Sequence, residues 1–257
     1  MLKIISHNVN GLRARLSKYG YSEAIRRMAP DILCLQEVRA KPDQIPTSVL
    51  GTDYVGYYSV HDKPGYAGTA IFVRRCLAGP LFDTDGRVLG FEGGRVEILD
   101  FKHFKLISSY SPNVGRAAEK LDARGDFETA LHDYVVSNKD FKPFIVCGDL
   151  NVAPSAEDTN VKSVAGTTPT ERNAFFTLKK DAELVDVLRN FNPDEQIFTW
   201  HSNMYNAKEN GKGMRLDHFL VSKELMDKVE DIYVLQDDEF ACHSDHLPVV
   251  MNINIDL

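Results

Sequence analysis

Short apolar runs of strand length recur along the whole chain. Leu2–Ser6, Ile32–Gln36, Tyr54–Val60, Thr69–Val73, Arg95–Leu99, Phe104–Tyr110 and Phe144–Cys147 occupy the first part, and Ile197–Trp200, Leu216–Val221, Ile232–Gln236 and Val249–Ile255 the last. The final run alternates, with Val249, Met251, Ile253 and Ile255 on one face and Asn252 and Asn254 on the other. Between the runs the period lengthens. Phe127, Ala130, Leu131, Tyr134 and Val135 form one apolar stripe at helical spacing. Ser22–Met28 reads as a second helix stopped by Pro30. Thr168-Pro169 reads as the cap and first residue of a third, which carries Ala174, Phe175 and Leu178. Helix and strand alternate early, then strands succeed one another, which predicts an α/β sandwich with mixed sheets. A length of 257 residues allows one large domain or two small ones. The expectation is one domain over residues 1–257, built from two α/β halves that meet near residue 140.

Composition adds exclusions. At 43% hydrophobic and 26% charged, the chain is neither disordered, collagenous nor a coiled coil. No apolar run reaches the roughly 18 residues of a membrane span. The chain opens directly on a strand, without a secretory pattern. The expectation is a soluble intracellular protein, cytoplasmic in a prokaryote or nuclear in a eukaryote, and a monomer. A net charge of −7 argues against a general nucleic-acid coat. It leaves room for a local basic face: Arg13, Arg15, Lys18, Arg26 and Arg27 stand against Glu23 alone over residues 11–27. Asp231, Asp237, Asp238 and Glu239 make the opposite run. Cys34, Cys76, Cys147 and Cys242 form no C-x-x-C pair; Cys34 and Cys147 read as core.

The informative feature is the polar cluster at the end of each strand. Leu2–Ser6 runs into His7-Asn8-Val9-Asn10-Gly11, Ile32–Leu35 into Gln36-Glu37, and Phe144–Cys147 into Gly148-Asp149-Leu150-Asn151. Phe104–Ser109 adds Tyr110, then Ser111-Pro112-Asn113, and His243-Ser244-Asp245-His246 precedes the last strand. Sites in α/β proteins form where strand ends converge. If these ends meet, they assemble Asn8, Asn10, Glu37, Tyr110, Asp149, Asn151, Asp245 and His246. That is an oxygen-rich set with one imidazole, suited to a hard cation such as Mg²⁺ and short of the thiolates and histidines of a zinc centre. Each residue alone has a plainer reading as a turn former or a strand's exit into water. Five such strand ends together are harder to explain that way.

Taken together, Ile5–Ala14, Leu33–Glu37, Gly148–Ala153, Gly213–Phe219 and Ser244–Pro248 resemble the exonuclease III / apurinic-apyrimidinic endonuclease family, with Tyr110–Arg116 and Gly166–Arg172 fitting as well. The resemblance spans the chain in order. It implies a four-layered α/β sandwich, two mixed sheets face to face with helices outside. It implies a Mg²⁺-dependent phosphodiesterase, Mn²⁺ serving as a substitute, that acts on double-stranded DNA at abasic sites or 3′ ends. By resemblance the metal group is Asn10, Glu37, Asp149, Asn151, Asp245 and His246. The catalytic group is Tyr110, Asp149, Asn151, Asp217 and His246. Asn8, Asn113, Arg116, Trp200, Met214 and Leu216 would meet phosphate or substrate, and Arg13, Arg15, Lys208, Lys212 and Arg215 the DNA backbone.

The chain departs from the family pattern at His7 (Trp or Phe in relatives), His218 (Tyr) and Met214 (Trp). It also departs at Val161 and Val164, in a loop where relatives carry Asn. The alternatives are a phosphodiesterase of the same superfamily acting on a phospholipid or inositol phosphate, and a catalytically silent DNA-binding member. The basic stretch favours DNA, and the acids, amides and imidazole favour catalysis.

Overall fold

A computed structural model describes residues 1–18, 20–45, 53–79, 82–202, 206–236 and 244–256. Asp237, Asp238, Glu239, Cys242 and His243 lie outside the described residues, as does the side chain of Lys18.

The strands are β1 (Leu2–Asn8), β2 (Ile32–Gln36), β3 (Tyr54–Ser59), β4 (Thr69–Arg74), β5 (Phe82–Asp85), β6 (Val96–Asp100), β7 (Lys105–Tyr110), β8 (Phe144–Asp149), β9 (Leu184–Asp186), β10 (Asp217–Ser222), β11 (Val229–Val234) and β12 (Val249–Ile253). The helices are α1 (Leu12–Lys18), α2 (Tyr21–Met28), α3 (Leu121–Asn138), α4 (Pro169–Asp181) and α5 (Val187–Phe191). Among the described residues the strands form two six-stranded sheets, ordered β11-β12-β1-β2-β4-β3 and β5-β6-β7-β8-β10-β9. Each sheet has a parallel pair at its centre, β1 with β2 and β7 with β8, flanked by antiparallel neighbours.

Side-chain alternation sorts the core into layers. Ile4, Ile32, Cys34, Ile71 and Met251 of the first sheet meet Leu99, Leu106, Ile145, Cys147 and Phe219 of the second. The opposite face of the first sheet, with Ile5, Leu33, Leu35 and Phe72, is covered by Leu12, Tyr21, Ala24 and Ile25 of α1 and α2. The opposite face of the second, with Ile98, Ile107 and Val146, is covered by Phe127, Leu131 and Val135 of α3 and Phe175 and Leu178 of α4. The result is the four-layered sandwich. Removing any one of these fully buried aliphatic side chains to Ala would cost about 2–5 kcal/mol.

Helix α4 begins as its residues dictate. Thr168 accepts from the Glu171 amide, Glu171 reaches back to the Thr168 amide, and Pro169 takes the first helical position. Ile197–Trp200 is not a strand; Trp200 makes only isolated bridges to Met214 and His246. The short edge strands β5 and β9 and the helices α1 and α5 have no counterpart in the sequence expectation, because strands of three or four residues and helices of five to seven give no measurable period.

Candidate active site

Parallel pairing puts the carboxyl ends of β1 and β2 at one edge, and those of β7 and β8 likewise. Antiparallel β12 and β10 bring their amino ends to the same edges. Asn8, Glu37, Tyr110, Asp149, Asp217 and His246 therefore converge. The chain leaves these strands through left-handed backbone: Asn10 at φ 44°, Glu37 at φ 51° and Asn151 at φ 48°. Such conformations cost about 1–3 kcal/mol outside glycine and cluster where the fold must aim a side chain. Gly148 (φ 132°) is required by space as well as by backbone, since a Cβ there would lie 2.0 Å from the Ser109 carbonyl oxygen.

The side chains interlock. Asn8 Nδ2 donates to Glu37 Oε1 (3.0 Å) and to Asp149 Oδ2 (2.8 Å), while its Oδ1 accepts from the Asn10 amide. Asp149 also accepts from the Asn151 backbone and side chain. Asn151 Nδ2 donates to the Ser111 carbonyl and its Oδ1 accepts from Asn113. Asp245 accepts from Asn10 Nδ2 (2.9 Å) and from Trp200 Nε1 (3.0 Å). His246 Nδ1 donates to Asp217 Oδ2 at 2.8 Å, and its Nε2 lies 3.8 Å from Asp149 Oδ2. Thr199 Oγ1 accepts from the Leu216 and Asp217 amides, holding that carboxylate in place.

Burial and charge set the proton positions. Burial disfavours a charged His246, but Asp217 and Asp149 on either side outweigh it and raise its pKa to about 10. Burial, with Asp217 and Glu37 adding like charge, pushes the Asp149 carboxyl up, against the pull of His246 and Asn8. Burial first, then Glu37 and Asp149, pushes the Tyr110 phenol up, so it remains a proton donor at neutral pH. Asp245 is held below the usual carboxylate range, because His246 and its two donors outweigh its burial.

Asp149, Asp217 and His246 offer ligand atoms within 4.8 Å of one another, a possible metal cluster. His246 Nδ1 is committed to Asp217 and its raised pKa keeps Nε2 protonated, so the remaining donors are oxygens of the kind a hard divalent cation takes. Glu37 fits as the solvent-side member: its side chain is 13% exposed, and the Arg39 guanidinium already sits on its outer oxygen, a positive charge where a cation would serve.

The DNA-facing expectations separate. Arg13 and Arg116 are exposed, as are Asn113, Lys208 and Lys212. Arg15 donates to the Val9 and Asn10 carbonyls and so braces the loop that carries Asn10. Arg215 is a correction. It is buried, pairing with Asp158 at 2.6 Å and Asp186 at 2.8 Å, and it faces no solvent in which to meet a phosphate. Met214 and Leu216, expected to meet substrate, are buried with Ala153, and Val161 and Trp200 pack on them.

Three residues that brace the site have no role assigned to them in the sequence expectation. Arg124, wholly buried, donates to the Pro112, Leu150 and Asn151 carbonyls and fixes the loop beyond Asp149. Its position three before Phe127, on the apolar stripe of α3, is the signal that could have found it. Arg95 lies over the rings of Tyr66 and Tyr110, at 5.2 and 4.7 Å, beside a cavity of about 630 Å³ that Asn113 and Phe127 also line. His7, one of the departures, accepts from the Tyr21 hydroxyl at Nδ1 (2.8 Å) and donates to the His246 carbonyl from Nε2 (3.3 Å). It tethers the imidazole-bearing loop to β1.

A four-layered sandwich whose strand ends gather four carboxylates, four amides, a phenol and a charged imidazole defines a nuclease-type hydrolase. The chain belongs to the endonuclease/exonuclease/phosphatase family, whose sequence profile matches residues 5–246. It is 36% identical over 267 residues to the exodeoxyribonuclease of Bacillus subtilis, covering 99% of this chain and 100% of that one. It is 35% identical to the DNA repair nuclease APEX1 of Danio rerio, covering 97% of this chain and 81% of that one. Among solved structures, the AP endonuclease of Archaeoglobus fulgidus superposes with a TM-score of 0.87 at 28% identity, covering 99% of this chain and 100% of that one. The AP endonuclease LMAP of Leishmania major gives 0.88 at 26%, covering 99% and 88%.

Proposed function

We propose that the chain is a Mg²⁺-dependent DNA repair phosphodiesterase that hydrolyses DNA 5′ to abasic sites and removes nucleotides or blocking groups from 3′ ends. The observation that carries this reading is the Asn8 amide joining Glu37 to Asp149 opposite the His246–Asp217 pair. Phosphodiester hydrolysis needs an aligned water, positive charge on the phosphoryl oxygens and a proton for the leaving oxygen.

Glu37, with Asn10 and Asp149 beside it, would hold the cation, which supplies charge neutralisation on the phosphate when bound. Asp149, fixed by Asn8 and Asn151, accepts a hydrogen bond from the attacking water and aligns it. His246 stays charged against Asp217 and donates from Nε2 to a phosphoryl oxygen. Tyr110, its phenol kept protonated, donates from its hydroxyl to the leaving oxygen, and the proton of the attacking water passes to Asp149. Arg13 and Arg116 on the exposed surface take backbone phosphates without reading bases. Trp200, backed by Met214 and Leu216, walls the place of a base-less sugar.

The test is a substrate panel: a duplex with one abasic analogue, a duplex with a recessed 3′ end, and a lipid phosphodiester, each with Mg²⁺ or with EDTA. The reading expects Mg²⁺-dependent cutting of the DNA substrates and none of the lipid. Lipid cleavage without DNA cleavage would overturn the substrate, and full activity in EDTA would overturn the metal.

A further inference from the structure

Between the two sheets, running inward from Gln36, the neighbour of Glu37 at the end of β2, six polar side chains close a ring inside the otherwise apolar layer. Glu97 on β6 stands opposite Asp85 on β5. Asp85 accepts from Ser59 Oγ of the other sheet at 2.7 Å. Ser59 on β3 stands opposite Thr69 on β4. Leu35 pairs with Ala70, which sets Gln36 of β2 beside Thr69. Gln36 Nε2 crosses back to Ser108 Oγ at 3.1 Å, and Ser108 on β7 stands opposite Glu97. Directly opposed residues on one sheet face sit about 5 Å apart at Cβ. Alternation turns five of the six inward, since Tyr57, Ile71, Cys34, Leu99 and Leu106, each two residues from a member, belong to the inter-sheet core or pack on it, and Asp85 is tied to the ring by its bond from Ser59.

The ring is unsatisfied. Glu97 is 1% exposed and neither of its carboxylate oxygens has a partner; Thr69 Oγ1 and Gln36 Oε1 are also buried and unpartnered. Buried polar atoms are ordinarily paired, because leaving one unpaired costs about 1–3 kcal/mol. Here four oxygens from three strands, all on faces turned to the inter-sheet layer, carry the same deficit.

We propose that this ring binds a hard metal cation, held by the Glu97 carboxylate, Gln36 Oε1 and Thr69 Oγ1, with Asp85 at the entrance. The chemistry is that of an oxygen cage: carboxylate, amide and hydroxyl oxygens with no nitrogen or sulfur donor. The entry path is the sandwich edge. β3 and β5 are the edge strands of their sheets, and the Asp85 side chain between them is 35% exposed. Burial, with Asp85 and Asp83 of the neighbouring strand, pushes the Glu97 carboxyl up to about 9. The bare ring thus keeps a proton on Glu97, and an entering cation displaces it to solvent.

The experiment is thermal melting of the metal-stripped full chain in tetramethylammonium buffer, with Na⁺, K⁺, Mg²⁺ or Ca²⁺ chloride added singly. Wild type is compared with Glu97→Gln and Glu37→Gln. At least one cation should raise Tm by about 3 °C or more in wild type and in Glu37→Gln, and by clearly less in Glu97→Gln, where only the active-site cation remains to act. An equal rise in Glu97→Gln, or no rise with any of the four, overturns the site. Wild-type crystals soaked in Mn²⁺ and Rb⁺ give an independent reading that needs no variant. An anomalous peak inside the ring is expected; water alone, or a Glu97 carboxyl bonded directly to Gln36 Oε1, overturns it.

Discussion

The Asn8 amide donates to Asp149 Oδ2 across 2.8 Å, joining the end of a strand in one sheet to the end of a strand in the other. Its second hydrogen goes to Glu37. One neutral side chain thereby sets the separation of two carboxylates that would otherwise repel each other. Asn8→Asp places a third acid between them. It should lower kcat by on the order of 10² or more, the cost of one pre-aimed donor, with a smaller change in KM. Steady-state kinetics on an abasic duplex checks this. A change in KM alone would assign Asn8 to binding.

His246 is cationic because Asp217 and Asp149 flank it. Its folded pKa, about 10, lies above the unfolded value near 6.5. The pair's contribution to stability is therefore complete below about pH 6.5 and is lost as pH rises towards 10. Asp217→Asn removes the largest raising influence, so the alkaline limb of the activity profile should move towards neutral pH and kcat should fall by on the order of 10³. An unmoved limb would detach that limb from His246.

Two other histidines act in the opposite direction. His7 and His218 are buried and neutral, with pKa values lowered to about 3 and about 4, in both cases chiefly by burial. His218 donates from Nε2 to the Val152 carbonyl and accepts from Arg215 at Nδ1, so both ring nitrogens are used without a second proton. Unfolding lets each take up a proton below about pH 6.5. Stability should then fall by about 1.4 kcal/mol per pH unit per histidine between roughly pH 6.5 and 4. Denaturant melts across that range should show the slope, and a His7→Phe, His218→Tyr double variant should flatten it. An unchanged slope would assign the acid sensitivity elsewhere.

Arginine substitutions should divide by burial. Arg215→Ala takes the buried cation from Asp186 and leaves Asp158 with Arg189 alone, and should cost about 3–5 kcal/mol of stability. Arg13→Ala or Arg116→Ala should leave Tm unchanged, weaken duplex binding and reduce the salt dependence of log Kd by about 0.9 for each phosphate no longer neutralised. Titrations at several salt concentrations beside melting curves read both. A salt slope altered only by Arg215→Ala would invert the assignment.

The strand ends were legible because an apolar run that stops at His7-Asn8, Gln36-Glu37 or Gly148-Asp149 fixes both the element and the polar group it delivers. What was not legible is which partner a charge meets. Arg13 and Arg215 read alike in the sequence; only the fold brings Asp158, fifty-seven positions away, against Arg215. Glu97 interrupts an apolar run in the way an exposed strand face would, yet it turns inward because β6 is roofed by strands of the other sheet. Arg124 was hidden by its charge, although it sits on the buried stripe of α3. Nothing in the sequence around Trp200 tells that its indole nitrogen orients Asp245, forty-five positions away.

The most direct measurement is the single-turnover rate of abasic-duplex cleavage by Asp149→Asn in saturating Mg²⁺, with duplex affinity measured on the same preparation. An aligning carboxylate at the centre of the Asn8 and His246 contacts predicts a rate loss on the order of 10³ with affinity within a few-fold of wild type. A rate within tenfold of wild type would mean that the hydrolytic centre lies elsewhere.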